Sequence, residues 1–287
     1  MEAALIRFGT AGWSYPDWAG IVYPKPKPRG FDPLAFLSRF VDAIEINSSF
    51  YAPPPEKNCQ SWLQRVADRP GFCFTLKLWR RFTHEREPFG AEETAPFRQA
   101  AALLSQGNRL GAILVQFPIS FHNTQENRDW LARVIEAFSE FPLALEVRHA
   151  SWNREEFYAG LAEKSVGFVN LDQPLLGRAI RPSAKATAPV GYVRLHGRNY
   201  EEWFQKEAGR DERYNYLYSL AELKPWAEKI RALAQQCREV YVIANNHYQG
   251  QALFNVLQLK ELVAGNKVRF PESLLEFFAP EDSSPAA

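Results

Sequence analysis

Eight short apolar runs, separated by amphipathic helical stretches, constrain this chain more than any other feature. Each run is rich in β-branched or aromatic residues and is typical of a buried parallel strand. The runs comprise residues 5–9, 43–47, 72–77, 112–116, 143–148, 166–172, 192–196 and 240–245. Eight strands that alternate with helices predict an α/β fold, a (β/α)₈ barrel of the TIM type. A doubly wound open sheet is the alternative, and it requires two of these strands to be misassigned.

The stretches between the runs carry helix signals in all places but one. The segment Ser219-Leu220-Ala221-Glu222 is a capping box that precedes an apolar helical face. No helical periodicity is present between Asp172 and Gly191, so one β/α unit is expected to be irregular. No linker divides the chain, which predicts a single domain over residues 1–279 and a disordered tail over residues 280–287.

Composition excludes several classes of function. The chain has 34 Lys and Arg against 33 Asp and Glu, a net charge of +1, which argues against a surface devoted to nucleic acid or anionic membranes. No uncharged run is long enough to span a bilayer, so no membrane partner is expected. The cysteines, Cys59, Cys73 and Cys237, are odd in number and widely spaced. They predict a reducing compartment, and hence a cytoplasmic protein.

Polar side chains at the ends of the runs are the main functional signal. The period of two along a strand places four pairs on shared faces: Glu45 with Asn47, Glu146 with Arg148, Asn170 with Asp172, and Arg194 with His196. Lys77, Gln116 and Asn245 or Asn246 finish three other strands. Because an unpaired charge on a covered strand is costly, these groups are predicted to gather at one barrel mouth. The alternative for any single strand is a solvated end or a structural ion pair.

The predicted pocket holds candidate acids, bases and metal ligands. The catalytic candidates are Glu45, Glu146, Asp172 and His196. A divalent metal on these four side chains is an alternative, because oxygen and imidazole ligands suit Mn, Mg or Zn. Lys77 could form a Schiff base if it were desolvated, but an anion-binding or ion-paired lysine is the favoured interpretation.

Cationic and aromatic side chains are the candidates for holding a substrate. Arginine and lysine bind anionic groups, and aromatic faces beside carboxylates suit a sugar or a base. His84 lies in a basic cluster with Arg80, Arg81 and Arg86. The predicted substrate-binding residues are Trp13, Asn47, Tyr51, Lys77, His84, Gln116, Arg148, Trp152, Arg194, Asn245 and Asn246.

Seven segments, in order along nearly the whole chain, resemble the YecE-like family, known as domain of unknown function seventy-two. They are GTAGWSY at 9–15, EINSSFY at 45–51, Thr83-His84, QFP at 116–118, EVRHASW at 146–152, YVRLHG at 192–197, and Asn245-Asn246. The resemblance implies a (β/α)₈-type barrel and no established activity. Where the family tends to have Asn-Asn-Asp, this chain has His247 after the two asparagines. Any role of that acidic residue is therefore changed or lost here.

Three hypotheses about function follow. The first is an enzyme, a hydrolase, isomerase or lyase, that acts on a small polar, anionic or sugar-like substrate. The second is a protein that binds or processes nucleic acid or nucleotides, with phosphates on Arg and Lys and bases on loop aromatics. The third is a non-catalytic ligand-binding barrel, which fold alone does not exclude.

Overall fold

The computed structural model describes residues 4–200 and 214–278, and eight parallel strands within them close into a barrel in sequence order. The strands are β1 Leu5–Ala11, β2 Ala43–Ile46, β3 Cys73–Lys77, β4 Leu110–Gln116, β5 Leu143–Glu146, β6 Gly167–Asp172, β7 Val190–Leu195 and β8 Glu239–Ala244. The barrel closes where β1 pairs with β8, with Arg7 opposite Tyr241. All eight predicted strands are confirmed, so the fold is a (β/α)₈ barrel and not an open sheet.

Eight helices are present in the described part of the chain. They are α1 Pro33–Leu37, α2 Glu56–Arg65, α3 Ala91–Gln106, α4 Gln125–Ala137, α5 Glu155–Glu163, α6 Leu220–Ala234, α7 Gln251–Ala264 and α8 Glu272–Phe278. The predicted capping box opens α6: the Ser219 hydroxyl accepts from the Glu222 backbone N–H, and Glu222 reaches back to Ser219. Residues 173–189 contain no helix, so the irregular unit predicted between β6 and β7 is confirmed.

Alternate strand residues fill the barrel interior, with small side chains facing large ones. A set of buried interior residues comprises Ala11, Ala43, Cys73, Ala112, Leu114, Ala144, Val169, Tyr192, Tyr241 and Ile243. A Cβ on Gly111 would come within 2.5 Å of the Tyr241 ring, so glycine is required where that ring crosses the barrel. Inward polar side chains lie at both ends of the strands: Arg7 and Glu239 pair at 2.9 Å at the N-terminal end, and a larger set lies at the C-terminal ends, where barrel enzymes carry their sites.

Short helical turns follow several strands at the C-terminal face of the barrel. A π-helical turn, Arg81–Glu85, follows β3, and 3₁₀ turns follow β1, β2, β5 and β8. The tail predicted to be disordered, residues 280–287, lies outside the described residues. None of the helices in the two described ranges is long and apolar enough to cross a membrane.

Candidate active site

Strand phase decides which polar side chains enter the barrel. The interior residues Ala43, Ala144 and Tyr192 lie two positions before Glu45, Glu146 and Arg194, so these three point inward as well. They come from β2, β5 and β7, and their side chains meet at the top of the packed interior. All three are at most 1% exposed.

Arg194 joins the two buried carboxylates. Its Nε donates to Glu45 Oε2 at 2.9 Å, and its Nη2 donates to Glu45 Oε1 at 2.6 Å. Its Nη1 donates to Glu146 Oε2 at 3.0 Å. Tyr192 adds a hydroxyl donor to Glu45 Oε2 at 2.9 Å. The guanidinium therefore sits between two carboxylates in a bidentate geometry that lysine cannot reproduce.

Glu146 is held ionised by a second arginine. Arg148 Nε donates to Glu146 Oε1 at 2.8 Å. Burial by itself raises the pKa of Glu146, but the positive charges of Arg148 and Arg194 hold that pKa well below its usual range. A carboxylate in this state does not serve as a general acid near neutral pH. Glu45, Glu146, Arg148, Arg194 and His196 are called the inner cluster below.

His196 completes the inner cluster as a neutral imidazole. Its Nε2 lies 3.2 Å from Glu146 Oε1, and its Nδ1 lies 3.2 Å from Asn245 Nδ2. Nε2 also lies 3.3 Å from Arg148 Nη2 and 3.3 Å from Arg194 Nη1, so the ring joins Asn245 to both arginines and to Glu146. Burial lowers the pKa of His196 to about 3, against the opposing effect of Glu146. The ring is fully buried and acts within the cluster.

A cavity of about 530 Å³ lies above the inner cluster. Its lining comprises Tyr15, Asn47, Phe50, Tyr51, Lys77, Arg80, His84, Gln116, Arg148, Arg194, Tyr214, Asn245 and His247. Among these lining residues are four lysine or arginine side chains and no carboxylate. Eight of the eleven predicted substrate-binding residues are in this set; Trp13, Trp152 and Asn246 are not.

Lys77 is the cation of the cavity that lacks a counterion. It ends β3 with its side chain inward, and Nζ lies 4.2 Å from the centre of the Phe50 ring. No described residue forms a hydrogen bond or an ion pair with this Nζ. Of the two interpretations favoured from the sequence, the ion-paired lysine is therefore not what the structure has, and the anion-binding lysine stays a prediction. Burial, followed by the charge of Arg194, lowers the pKa of Lys77 to about 7, against the opposing charges of Glu45 and Glu146. The amine is therefore about half neutral at physiological pH.

The rim of the cavity is basic and aromatic. Arg80 is paired with Glu85 at 2.7 Å, so its charge is partly balanced. Desolvation, and then the charge of Lys77, lowers the pKa of His84 to about 4. On the opposite side, the rings of Tyr15 and His247 are stacked with centroids 4.4 Å apart. His247, which stands where the family tends to have Asp, thus contributes an aromatic wall.

Asp172 is not part of the inner cluster, which corrects the prediction that it joins the other catalytic candidates. It accepts from Arg198 Nε at 2.8 Å, from Arg198 Nη2 at 2.6 Å and from Trp226 Nε1 at 2.5 Å. The neighbouring Val169 is interior, so Asn170 and Asp172 have the opposite phase and face the helices. We call Asp172, Arg198, Glu222 and Trp226 the outer cluster.

Three predicted substrate-binding residues lie elsewhere for related reasons. Trp152 is fully buried and donates to the Phe121 carbonyl at 2.7 Å beneath the helices. Asn246, one position after the inward Asn245, donates to Asn255 Oδ1 at 3.0 Å. Trp13 packs edge-on against Trp62 of α2, with ring centroids 6.0 Å apart. Each position near a strand end was predicted correctly, but the direction of the side chain was not.

The four side chains considered as metal ligands do not converge. Asp172 is on the outer face, and the carboxylate oxygens of Glu45 and Glu146 are occupied by guanidinium donors. Within residues 4–200 and 214–278 no group of three or more His, Cys, Asp and Glu side chains could hold a metal ion.

Several lining residues were not predicted as substrate-binding. Phe50, Arg80 and Tyr15 follow strands β2, β3 and β1, so the rule that strand-exit loops form the mouth could have found them. Tyr214 lies in the long connection that leaves β7, so the same rule covers it, but its distance of about twenty residues from the strand end gives no indication that its side chain reaches the cavity. His247 was noted only as a departure from the family pattern.

The fold and the site define a class: a (β/α)₈ barrel whose strand ends carry a buried Glu–Arg network under a cationic cavity. The chain belongs to the family described as "Protein of unknown function DUF72", whose pattern matches residues 7–276. This confirms the family predicted from the strand-end segments.

Relatives of known sequence and structure support the same assignment. The chain is 31% identical to the UPF0759 protein YunF of Bacillus subtilis (strain 168) over 273 residues, 90% of this chain and 95% of YunF. A crystal structure of a DUF72 family protein from Thermotoga maritima is 34% identical with a TM-score of 0.78, and the match covers 91% of this chain and 99% of that one. One from Enterococcus faecalis is 26% identical with a TM-score of 0.79, covering 91% and 96%.

Proposed function

We propose that the protein is an enzyme that binds a small anionic substrate in the cavity at the barrel mouth. One observation carries this proposal: among the residues that the structure describes, the lining has four lysine or arginine side chains and no carboxylate. The carboxylates of Glu45 and Glu146 lie beneath the lining, where Arg194 and Arg148 balance them, and Glu85 is paired with Arg80 at the rim. The charge of Lys77 is left uncompensated, and an anionic ligand supplies its counterion.

Size and polarity favour a small molecule over a polymer. A volume of about 530 Å³ lies within the range of small-ligand pockets. Gln116 and Asn245 add uncharged hydrogen-bonding groups, and Asn47 Oδ1 is a buried acceptor that no described residue satisfies. Phe50 and Tyr51 offer ring faces to the apolar part of the ligand. These features suit a compact carboxylate or phosphate ester.

We assign a catalytic role to a residue according to whether its side chain borders the cavity. Glu45 and His196 are fully buried and absent from the lining, so in this proposal they position Arg194 and Arg148 for the anion. Lys77 borders the cavity and has a pKa of about 7, which suits proton transfer at physiological pH. We therefore assign the proton-transfer step to Lys77 and the electrostatic stabilisation of negative charge to Arg148.

Anion binding and its charge dependence test this proposal. Thermal unfolding of the full chain is followed with phosphate, pyruvate, glyoxylate and small phosphorylated sugars at constant ionic strength. At least one of these anions is expected to raise the melting temperature, and Arg148→Met should abolish the rise. Arg98→Met, which removes a surface arginine paired with Glu140, is the matched control and should leave it unchanged.

Two outcomes contradict the proposal. One is the absence of stabilisation by any small anion, or equal stabilisation of wild type and Arg148→Met. The other is preferential binding of oligonucleotides with an affinity that falls steeply with salt, which would favour the nucleic-acid hypothesis.

We also propose a cytoplasmic location. Cys59, Cys73 and Cys237 are buried and unpaired. Unpaired thiols suit a reducing compartment.

A further inference from the structure

We propose that Lys77 forms an imine with its substrate, which is an aldehyde or ketone that also carries an anionic group. This inference rests on the proposed anion-binding function and narrows the substrate class. It assigns to Lys77 a covalent role that a purely anion-binding lysine does not have.

The position of Lys77 is the first support. A primary amine at the C-terminal end of an inward-facing strand borders an open cavity of about 530 Å³. Its Nζ has the Phe50 ring on one side, at 4.2 Å from the ring centre, and no described carboxylate within ion-pair distance. A lysine that only held the fold together would be paired, as Lys260 is with Asp42 at 2.8 Å and Lys185 with Glu155 at 2.7 Å.

The charges around Lys77 favour the nucleophilic form of the amine. The groups that act on it are Arg194, Glu45, Glu146 and Arg148, and His84 faces it from the turn after β3. The inner cluster contains two carboxylates and two guanidiniums, so it does not supply Lys77 with a counterion of its own. With a pKa of about 7, half of the amine is neutral at pH 7. An ordinary lysine is neutral to roughly 0.03% at that pH, a difference on the order of 10³-fold.

The cationic surroundings also explain why the carbonyl compound should be anionic. In the net reaction the Lys77 ammonium and the carbonyl group give a protonated imine and one water molecule. The nitrogen lone pair forms the new bond to the carbonyl carbon, and the carbon–oxygen bond breaks as the oxygen leaves with two protons. No oxidant or reductant takes part. The positive charge remains at the nitrogen beside Arg148 and Arg194, so an anionic substituent on the substrate stabilises the product.

Reductive trapping tests the inference on the full chain. The protein is incubated at pH 7 with glyoxylate or pyruvate and sodium cyanoborohydride, and the adduct is located by intact-mass measurement and peptide mapping. One adduct per chain is expected, on Lys77, formed at least ~10²-fold faster than on the exposed Lys267. The neutral aldehyde acetaldehyde, at the same concentration, is expected to label Lys77 at least 10-fold more slowly than glyoxylate.

Variants separate this inference from the proposed function. Lys77→Arg keeps a positive charge, so it should retain stabilisation by phosphate and lose the adduct. Lys260→Arg, a matched change of a paired lysine, should retain both. Wild-type protein that is stabilised by anions but labelled no faster at Lys77 than at Lys267 would overturn the imine and leave the anion site standing.

Other outcomes overturn different parts. Equal labelling of Lys77 by acetaldehyde and glyoxylate would overturn the anionic substrate class. A wild type that neither binds anions nor forms the adduct would overturn both proposals. Because the labelling site is mapped in the wild-type protein, the conclusion does not depend on whether a variant folds.

Discussion

The inner and outer clusters are two solutions to the same problem, a carboxylate buried near the end of a barrel strand. In the inner cluster Arg194 serves Glu45 and Glu146 at once, beneath an open cavity. In the outer cluster Asp172 takes both nitrogens of one Arg198 fork and an indole N–H, between the barrel and the helices. The inner arginine is 1% exposed and the outer one 29%.

The difference shows how one position along a strand separates a side chain beneath the cavity from a structural contact outside the barrel. Asp172 and Arg194 lie on adjacent strands β6 and β7, where Leu171 is paired with Arg194. Side chains alternate between the faces, so Asp172 points outward while Arg194 points inward. The outer cluster has all of its acceptors satisfied by neighbours from the connection after β7 and from α6. The inner cluster leaves Arg148 and the adjacent Lys77 bordering open space.

Replacing the central arginine of each cluster should give the largest contrast. Arg194→Met leaves two buried carboxylates without their shared donor, and we expect a loss of about 3–5 kcal/mol in the free energy of unfolding. Arg198→Met should cost less, about 1–2 kcal/mol, because Asp172 keeps the Trp226 donor and because the side chain of Arg198 is 29% exposed, so its removal admits water to the carboxylate. Urea unfolding at pH 7.5 measures both. Equal costs would mean that the inner cluster is no more dependent on its arginine than the outer one.

Acid should weaken the inner cluster through His196, which gives the second contrast. Its pKa is about 3 when folded and about 6.5 when unfolded, so the unfolded chain binds a proton that the folded chain does not. Stability is therefore lost as pH falls below 6.5, by on the order of 1.4 kcal/mol per pH unit until about pH 3. We expect His196→Asn to remove about 2 kcal/mol of the stability difference between pH 7.5 and pH 5.

Urea unfolding at the two pH values provides the measurement for His196. His84, whose pKa is lowered to about 4, acts in the same direction but is present in both proteins and cancels in the comparison. His122→Asn, which changes an exposed imidazole, is the control. A pH dependence that is unchanged in His196→Asn would mean that His196 gains its proton in the folded state as easily as in the unfolded one.

The contrast also explains which parts of the site could be predicted from the sequence. The eight strands were recognisable because each buried run is short and bounded by turn residues. The period of two along a strand predicted that Glu146 shares a face with Arg148, and that Arg194 shares a face with His196. It was harder to predict which face of a strand points into the barrel. Both faces of β6 are buried, so the sequence allowed Asn170 and Asp172 to face either way. Assigning the polar strand ends to the mouth therefore agrees with the geometry at β2, β3, β4, β5, β7 and β8 and fails at β6.

The lack of a partner for Lys77 could not be predicted from the sequence for a different reason. Whether Lys77 has a counterion depends on which arginine pairs with which glutamate in the inner cluster. The contacts that decide this join residues up to 149 positions apart in the sequence. A strand pattern states which residues share a face, but it does not state which cation takes which carboxylate. The sequence therefore left an anion-binding and an ion-paired Lys77 both open, whereas the geometry leaves Lys77 without an ion pair among the described residues.

Neutralising the outer carboxylate should separate stability from ligand binding. Asp172→Asn removes the charge that faces Arg198, and we expect a loss of about 1–2 kcal/mol in the free energy of unfolding. Stabilisation by small anions in the inner cavity should not change, since Asp172 is not among the residues that line it. Thermal unfolding with and without phosphate measures both quantities. If Asp172→Asn lost the stabilisation by phosphate while keeping its stability without phosphate, Asp172 would have to contribute to the anion-binding cavity, against its outward orientation.

Removing the indole donor tests whether the outer cluster is purely structural. Trp226→Phe keeps an aromatic ring in the α6 core but deletes the Nε1–H that donates to Asp172 Oδ2 at 2.5 Å. One donor to a buried carboxylate is lost, so we expect a cost of about 1–2 kcal/mol, including the smaller ring. In a double-mutant cycle with Asp172→Asn the combined cost should be less than the sum, because both changes act on one hydrogen bond. Strict additivity in urea unfolding would mean that the indole and the carboxylate stabilise the fold independently, and that the outer cluster is not the single unit its geometry describes.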